Sequence, residues 1–222
     1  MLSAMTVTVR PLRVVVALLA SAVIGATALV GCDDDKTTAP TPSPTSASDP
    51  TTVSGAPTLT MRPARLETRL VRLAGHLPRE RRRSVVASIA RPVRSWLRAG
   101  FVGGDYPRRD FPGAFADYTR DAARLASRQD EVTTNAALGA DLVDVVPTRR
   151  TVRLSVFAPH GRAAGATADV TLVLLGIRAD ESEVELAVTG QLYLTRDGGW
   201  QVFGFDLART LGAPGSYERR RR

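Results

Sequence analysis

Apolar and polar positions change their rhythm along this chain. Residues 14–30 form an almost unbroken apolar run, interrupted only by Ser21, Gly25 and Thr27. A stretch rich in Pro, Ser and Thr follows, with almost no large apolar side chain. Beyond it, apolar positions recur at helical spacing to about residue 125, and alternate with polar ones from about residue 152.

The helical half carries several candidate stripes. Leu66, Leu70 and Leu73 fall three and four apart, with Arg65, Arg69 and Arg72 between them, which predicts a first helix. Pro78 suits the first turn of a second, because its missing N–H costs nothing there. Val85, Ile89, Val93, Trp96 and Leu97 give that helix an apolar face, and Pro92 inside it predicts a kink or a division. The loop GGDYPRRDFPG then leads to a third predicted helix carrying Phe115, Tyr118, Ala122 and Leu125.

The alternating half reads as strands. Val152, Leu154 and Val156 alternate with Arg153, Ser155 and Phe157, and residues 168–177 are apolar enough for a central strand. Val184, Leu186, Val188, Leu192 and Leu194 alternate with polar neighbours. Arg196-Asp197-Gly198-Gly199 is a hairpin signal before a last strand at 200–207. Short turns between consecutive strands predict an antiparallel meander, whose apolar face requires cover from the upstream helices. Leu154, Val156, Val170, Leu172, Leu174, Leu186 and Val188 are expected to point to that covered face. Gly190 and Gly204 within strands suit bulges or bends.

On FPGAFADYTRDAARLASRQDEVTTN, VVPTRRTVRLSVFA and DGGWQVFGFDL, the chain resembles the nuclear transport factor two-like superfamily. More closely, it resembles actinobacterial lipoproteins and membrane-anchored proteins of that fold. The resemblance implies an α+β cone, with N-terminal helices packed on a curved antiparallel sheet. It also implies that a homodimer through the outer face of the sheet is open to this chain. The superfamily includes dehydratases, isomerases, cyclases and non-enzymatic assembly modules, so the fold alone selects no activity.

The apolar run predicts an address. Arg10 and Arg13 precede it, no acidic residue does, and Leu29-Val30-Gly31-Cys32 closes it. This tetrapeptide resembles the lipobox of bacterial lipoproteins, in which the cysteine becomes the acylated first residue of the mature chain. The competing reading is an uncleaved membrane anchor. The run falls slightly short of the about 20 apolar residues a spanning helix needs. It also ends in Asp33-Asp34-Asp35 rather than a basic cluster. The organisation expected is a lipoprotein signal peptide at 1–31 and a lipidated Cys32 with a disordered tether through 59. An α+β domain at 60–213 and a basic tail at 214–222 complete it. Both readings leave the domain on the extracytoplasmic face of the cell membrane.

Cys32 is the sole cysteine, so the domain lacks disulfides and cysteine-based metal sites. Lys36 is the sole lysine and arginine supplies the remaining cations, a bias that points to a high-GC bacterial genome. The formal charge of +8 makes basic surface the strongest chemical signal. Arg79, Arg81, Arg82 and Arg83 form one cluster, and Arg219, Arg220, Arg221 and Arg222 another. Outside a membrane, anionic lipid headgroups or acidic wall polymers are the natural counterparts of such clusters. No aromatic stacking platform is interleaved with them, which argues against nucleic acid.

Candidate chemistry is sparse. Asp117 and Asp121, read as one turn apart on the third helix, share a face where acid–base work is conceivable, and Tyr106 and Tyr118 are candidates for a pocket or its rim. Asp105 and Asp110 lie in the preceding loop, and Arg108, Arg109, Arg120 and Arg124 stand among the four acids, so solvated ion pairing is the simpler account. His160 falls in a turn and His76 at the end of a predicted helix, and neither makes a metal site. No catalytic set, metal or cofactor is expected. The leading expectation is a non-enzymatic binding or assembly module of the cell envelope. A carrier of a small apolar ligand in the cone, and a dehydratase- or isomerase-like enzyme with Asp117 or Asp121 as base, are the alternatives.

Overall fold

In the computed structural model, residues 62–222 are described, and Cys32, the signal segment and the tether lie outside them. The first element is not a helix. Leu70 and Leu73 belong to a strand, β1 (Glu67–Gly75), paired in parallel with β2 (Leu142–Ala158), and Leu66 immediately precedes it. The register slips between Leu70 and Arg72, so Val71 is an extra residue in the ladder. Leu70 lies opposite Leu154, Arg72 opposite Ser155 and Leu73 opposite Val156. The spacing of three from Leu70 to Leu73 is thus one strand repeat plus a bulge, and after Leu66 four residues earlier it imitates a helical stripe. β-Branched Thr68 and Val71 favour the extended form.

The chain next forms α1 (Arg79–Leu97), which begins after Pro78 as expected. Pro92 lies buried within it and does not divide it. A π-helical turn, Arg98–Val102, extends it. Ile89, Val93, Trp96 and Leu97 are buried, and Val85 packs against the same core. Trp96 meets Phe101 edge-on at 5.4 Å and donates its indole N–H to the Thr133 carbonyl at 2.8 Å.

The third helix starts later than its apolar spacing suggests. Phe115, Asp117 and Tyr118 precede α2 (Arg120–Arg128). Their backbone is committed to a different partner, because Val202 N–H donates to the Asp117 carbonyl and Thr119 N–H to the Val202 carbonyl, both at 2.9 Å. Groups paired with a strand are not free for helical hydrogen bonds. The short helices α3 (Asp130–Thr133) and α4 (Ala136–Gly139) follow.

The alternating half forms the strands it predicts, each longer than its pattern. β2 begins ten residues before Val152 and takes up irregularities near Leu142 and Pro147. β3 (Gly165–Arg178), β4 (Glu183–Asp197) and β5 (Gly199–Gly212) continue the meander, and α5 (Ser216–Arg220) closes the chain. The described strands form one sheet in the order β1-β2-β3-β4-β5. The molecule is α+β, but the sheet is mixed, not wholly antiparallel, and a strand precedes the helices. The long excursion through α1 to α4 is the kind of connection that a parallel β1–β2 pair requires.

All seven residues expected on the covered face are buried, in one core with Ile89, Val93, Trp96 and Phe101. α1 approaches both edge strands, β1 and β5. Gly190 has φ +142°, and a Cβ there would stand 2.1 Å from the Asp206 carbonyl oxygen, so only glycine lets β5 approach this closely. Opposite Tyr193 and Leu194, the register slips past Phe203, next to Gly204. No helix among the described residues is long and apolar enough to cross a membrane.

Leu172 sits fully buried at the centre of the sheet. Leu172→Ala is expected to lower stability by about 2–5 kcal/mol, the range for an unrelaxed core cavity, read from the urea midpoint of the full chain.

Candidate functional site

The side chains singled out in the sequence do not converge. The Tyr106 hydroxyl donates to the Phe101 carbonyl at 2.6 Å and accepts from the Asn135 amide at 3.2 Å. Burial pushes its phenol up, while Asn135 and the Arg108 charge pull the other way. Tyr106 therefore belongs to a structural knot. In the same knot, the buried Thr133 hydroxyl reaches the Ala126 and Gln129 carbonyls, and Asn135 N–H reaches the Gly100 carbonyl. This knot holds the end of α1 against α3 and α4.

Asp117 lies outside α2, and its carboxylate pairs with Arg91 at 3.4 Å. Asp121 stands in the first turn of α2 with its side chain 93% exposed, 3.6 Å from Arg124. The shared helical face expected for these two acids is not formed, because residues 117–119 pair with β5 instead. Tyr118 is buried against Phe115 and Phe205. Its hydroxyl finds no hydrogen-bond partner among the described residues, and burial drives the phenol far above its ordinary range.

The basic clusters divide into free and engaged arginines. Arg79, Arg81 and Arg83 are exposed in the opening turns of α1, at the positive end of its dipole, while Arg82 donates to the Leu77 carbonyl at 3.0 Å. The C-terminal cluster surrounds a clasp. Glu185 on β4 accepts from Gly215 N–H at 2.9 Å, the Ser216 hydroxyl at 2.8 Å and Tyr217 N–H at 2.6 Å. Around it, Arg149 pairs with Glu218 at 2.7 Å, and Arg220 reaches Thr210 and Ser216. Arg219 donates to the Pro214 carbonyl, Arg221 lies over the Tyr217 ring, and Arg222 is exposed. His76 follows β1 rather than a helix, and His160 sits in the turn after β2 at φ 53°.

The hollows of the surface lie outside the core. On the outer face of the sheet, Phe157 and Phe203, each more than half exposed, border a hollow of about 360 Å³ with Tyr193, Thr167 and Arg72. A second, of about 400 Å³, lies between α1 and the β4–β5 turn, with Ser84, Ser88, Arg91 and Arg196. The most strongly charged is a cleft of about 420 Å³ between α1 and the loop after it. There α1 contributes Arg91 and Arg94, the π-helical turn that extends it Arg98, and the loop Gly103, Gly104 and Arg108. Its lining contains no carboxylate.

Compared with protein-family models, curated proteins and solved structures, the chain matches none. Its chemistry must be read from its own geometry. Among the described residues, no group of three or more His, Cys, Asp or Glu side chains is placed to hold a metal.

Sequence reasoning missed the polar knot, the Glu185 clasp and the arginine cleft. Arg91, Arg94 and Arg98 recur three and four apart on the side of α1 opposite its apolar face, a signal that a helical projection carries. Arg108 and Glu185 had no such signal, since their partners are brought by tertiary contacts. Arg209 is another. It donates to the Glu131 carbonyl, while Nε and Nη2 are buried without partners among the described residues. Burial holds its guanidinium below the ordinary range against the pull of Glu131.

Two outcomes follow from these environments. Tyr118→Phe removes an unpaired buried hydroxyl, so thermal stability is expected to stay level or rise by up to about 1 kcal/mol. For Glu185, burial raises the carboxyl, but the hydrogen bonds from Tyr217, Ser216 and Gly215, with the Arg220 charge, outweigh it and leave it lowered. The clasp therefore holds fully above the unfolded carboxyl value of about 4.3 and is lost as pH falls through the depressed folded value. Amide exchange at Gly215 and Tyr217 should accelerate on acidification, and Glu185→Gln should show raised exchange already at neutral pH.

Proposed function

We propose that this protein is a membrane-anchored extracytoplasmic lipoprotein whose domain is a non-enzymatic binding or assembly module of the cell envelope. In this reading Cys32 carries a diacylglyceryl group, the Pro/Ser/Thr-rich segment is a tether, and the domain is a cone of the nuclear transport factor two-like kind. The approach of α1 to both edge strands supports the cone. The partner is another envelope component, an envelope protein or an anionic lipid or wall polymer.

The observation that carries the binding reading is the filling of the sheet's inner face. Leu154, Leu172 and Val188 are fully buried there among the side chains of α1. A face occupied by aliphatic groups offers no acid or base to a substrate. Asp121 reaches solvent and Asp117 is held by Arg91, so neither is presented as a general base. The same packing weighs against the carrier of an apolar ligand, which requires room on that face. Polar and charged features lie on the outside, where a partner meets them.

Fractionation of cells expressing the full chain tests the anchor. The wild-type chain is expected in the membrane fraction, with incorporation of a labelled fatty acid, and Cys32→Ser is expected to lose the label. A Cys32→Ser chain that stays in the membrane as firmly as wild type would favour the uncleaved anchor. Cross-linking in intact cells then tests the module: capture of no envelope protein, lipid or polymer would sink it.

A further inference from the structure

The cleft between α1 and the loop that follows it collects positive charge and neutralises only part of it. Arg91 and Arg94 of α1 and Arg98 of the π-helical turn that extends it stand at spacings that make them neighbours. Like charges so placed repel, and a concave wall focuses their field. Among the described residues, the only carboxylate paired with any of them is Asp117, which meets Arg91. Arg94 and Arg98 take part in none of the ion pairs among the described residues, whereas Arg124 and Arg149 each have a carboxylate partner.

Arg108 completes the opposite wall and is held in place. Its Nε and Nη2 donate to the Asp110 carbonyl at 3.1 and 2.9 Å, and its Nη1 donates to the Gly103 carbonyl. The guanidinium also lies over the Phe111 ring, 4.3 Å from its centroid. All these partners are neutral, so they orient the cation and leave its charge uncompensated. The adjacent glycines make the arrangement fit. Gly104 has φ +85°, and a Cβ there would fall 2.2 Å from Arg108 Nη1. A Cβ on Gly103 would stand 3.0 Å from Arg98 Cγ.

We propose that this cleft binds a phosphate-bearing anion through Arg91, Arg94, Arg98 and Arg108. Guanidinium groups fork onto oxyanions in bidentate fashion. Groups arriving from two walls suit a tetrahedral anion, whose oxygens diverge, better than a planar carboxylate. A fixed Arg108 lowers the ordering cost of binding, and the arginines of α1 close on the ligand from the other side. This deepens the binding-module reading and rests on it for its setting, although the cleft itself needs no lipid on Cys32. The phosphate has two sources, a free phosphate compound or the phosphodiester of a lipid headgroup.

Isothermal titration of the full chain in detergent tests it with two probes, sodium pyrophosphate and glycerophosphoglycerol, the deacylated phosphatidylglycerol headgroup. Saturable binding of either is expected, weakened about tenfold or more in Arg94→Gln/Arg98→Gln, as removal of charge-assisted hydrogen bonds predicts. Arg79→Gln/Arg81→Gln should bind as wild type. Pyrophosphate alone would identify a free phosphate, and glycerophosphoglycerol binding at least as tightly would identify the headgroup. Binding of neither probe, equal loss in the Arg79/Arg81 variant, or equal affinity for malonate would overturn the proposal. Phenylglyoxal modification of the wild-type chain supplies a reading that needs no variant. Pyrophosphate should protect the peptide holding Arg94 and Arg98, and absence of protection would count against the site. None of these outcomes depends on Cys32, so the anchor can fail while the cleft stands.

Discussion

The apolar face of a long meander has to be covered, and in this domain a single helix does most of the covering. Val152, Leu154, Leu172, Val188 and Leu192 lie on that face, and left bare they would expose a broad patch to water. Ile89, Val93 and Trp96 of α1 press against it. Trp96 contributes more than area, because its indole N–H is spent on the Thr133 carbonyl. That bond ties the helix to the segment beyond α2, where the buried Thr133 hydroxyl and the Asn135 amide N–H groups find partners while Asn135 Oδ1 has none among the described residues.

Committing one side of α1 to the core leaves the other side to chemistry. Arg91, Arg94 and Arg98 occupy the solvent side because the apolar stripe has taken the remainder of the helix circumference. The loop after α1 returns past them, held by Tyr106 on Phe101 and by Arg108 N–H on the Gly139 carbonyl at 2.7 Å. The same contacts that anchor the core therefore set the width of the arginine cleft. On the far side of the sheet, the Glu185 clasp draws α5 over one half of the outer face, beside Val173 and Leu175. The other half presents Phe157 and Phe203 to solvent.

Much of the fold was legible because its signals are local. The alternation in 152–156, 184–194 and 200–207 reads as strands since successive side chains of a strand must point to opposite faces. The apolar face of α1 was legible for the corresponding reason at period 3.6. The failures have local causes too. The bulge at Val71 gave β1 a helical spacing, and the pairing of 117–119 with β5 delayed α2, although Phe115, Tyr118 and Ala122 fit a helix. In both cases a ladder partner distant in sequence overrode the pattern.

By itself, the sequence determined an α+β domain with the strands of β2 to β5, the buried stripe of α1 and an arginine-dominated charge. These follow from the period and composition of neighbouring residues. Only the tertiary structure decided that β1 joins the sheet in parallel and that α1 packs against the aliphatic face of the sheet. It also set Tyr106, Asp117, Tyr118 and Asp121 apart, while Arg108 came to stand across a cleft from Arg91, Arg94 and Arg98. Hydrogen bonds, burial and charge between residues far apart in the chain depend on distances that appear when the chain closes on itself, and periodicity along the chain carries no record of them.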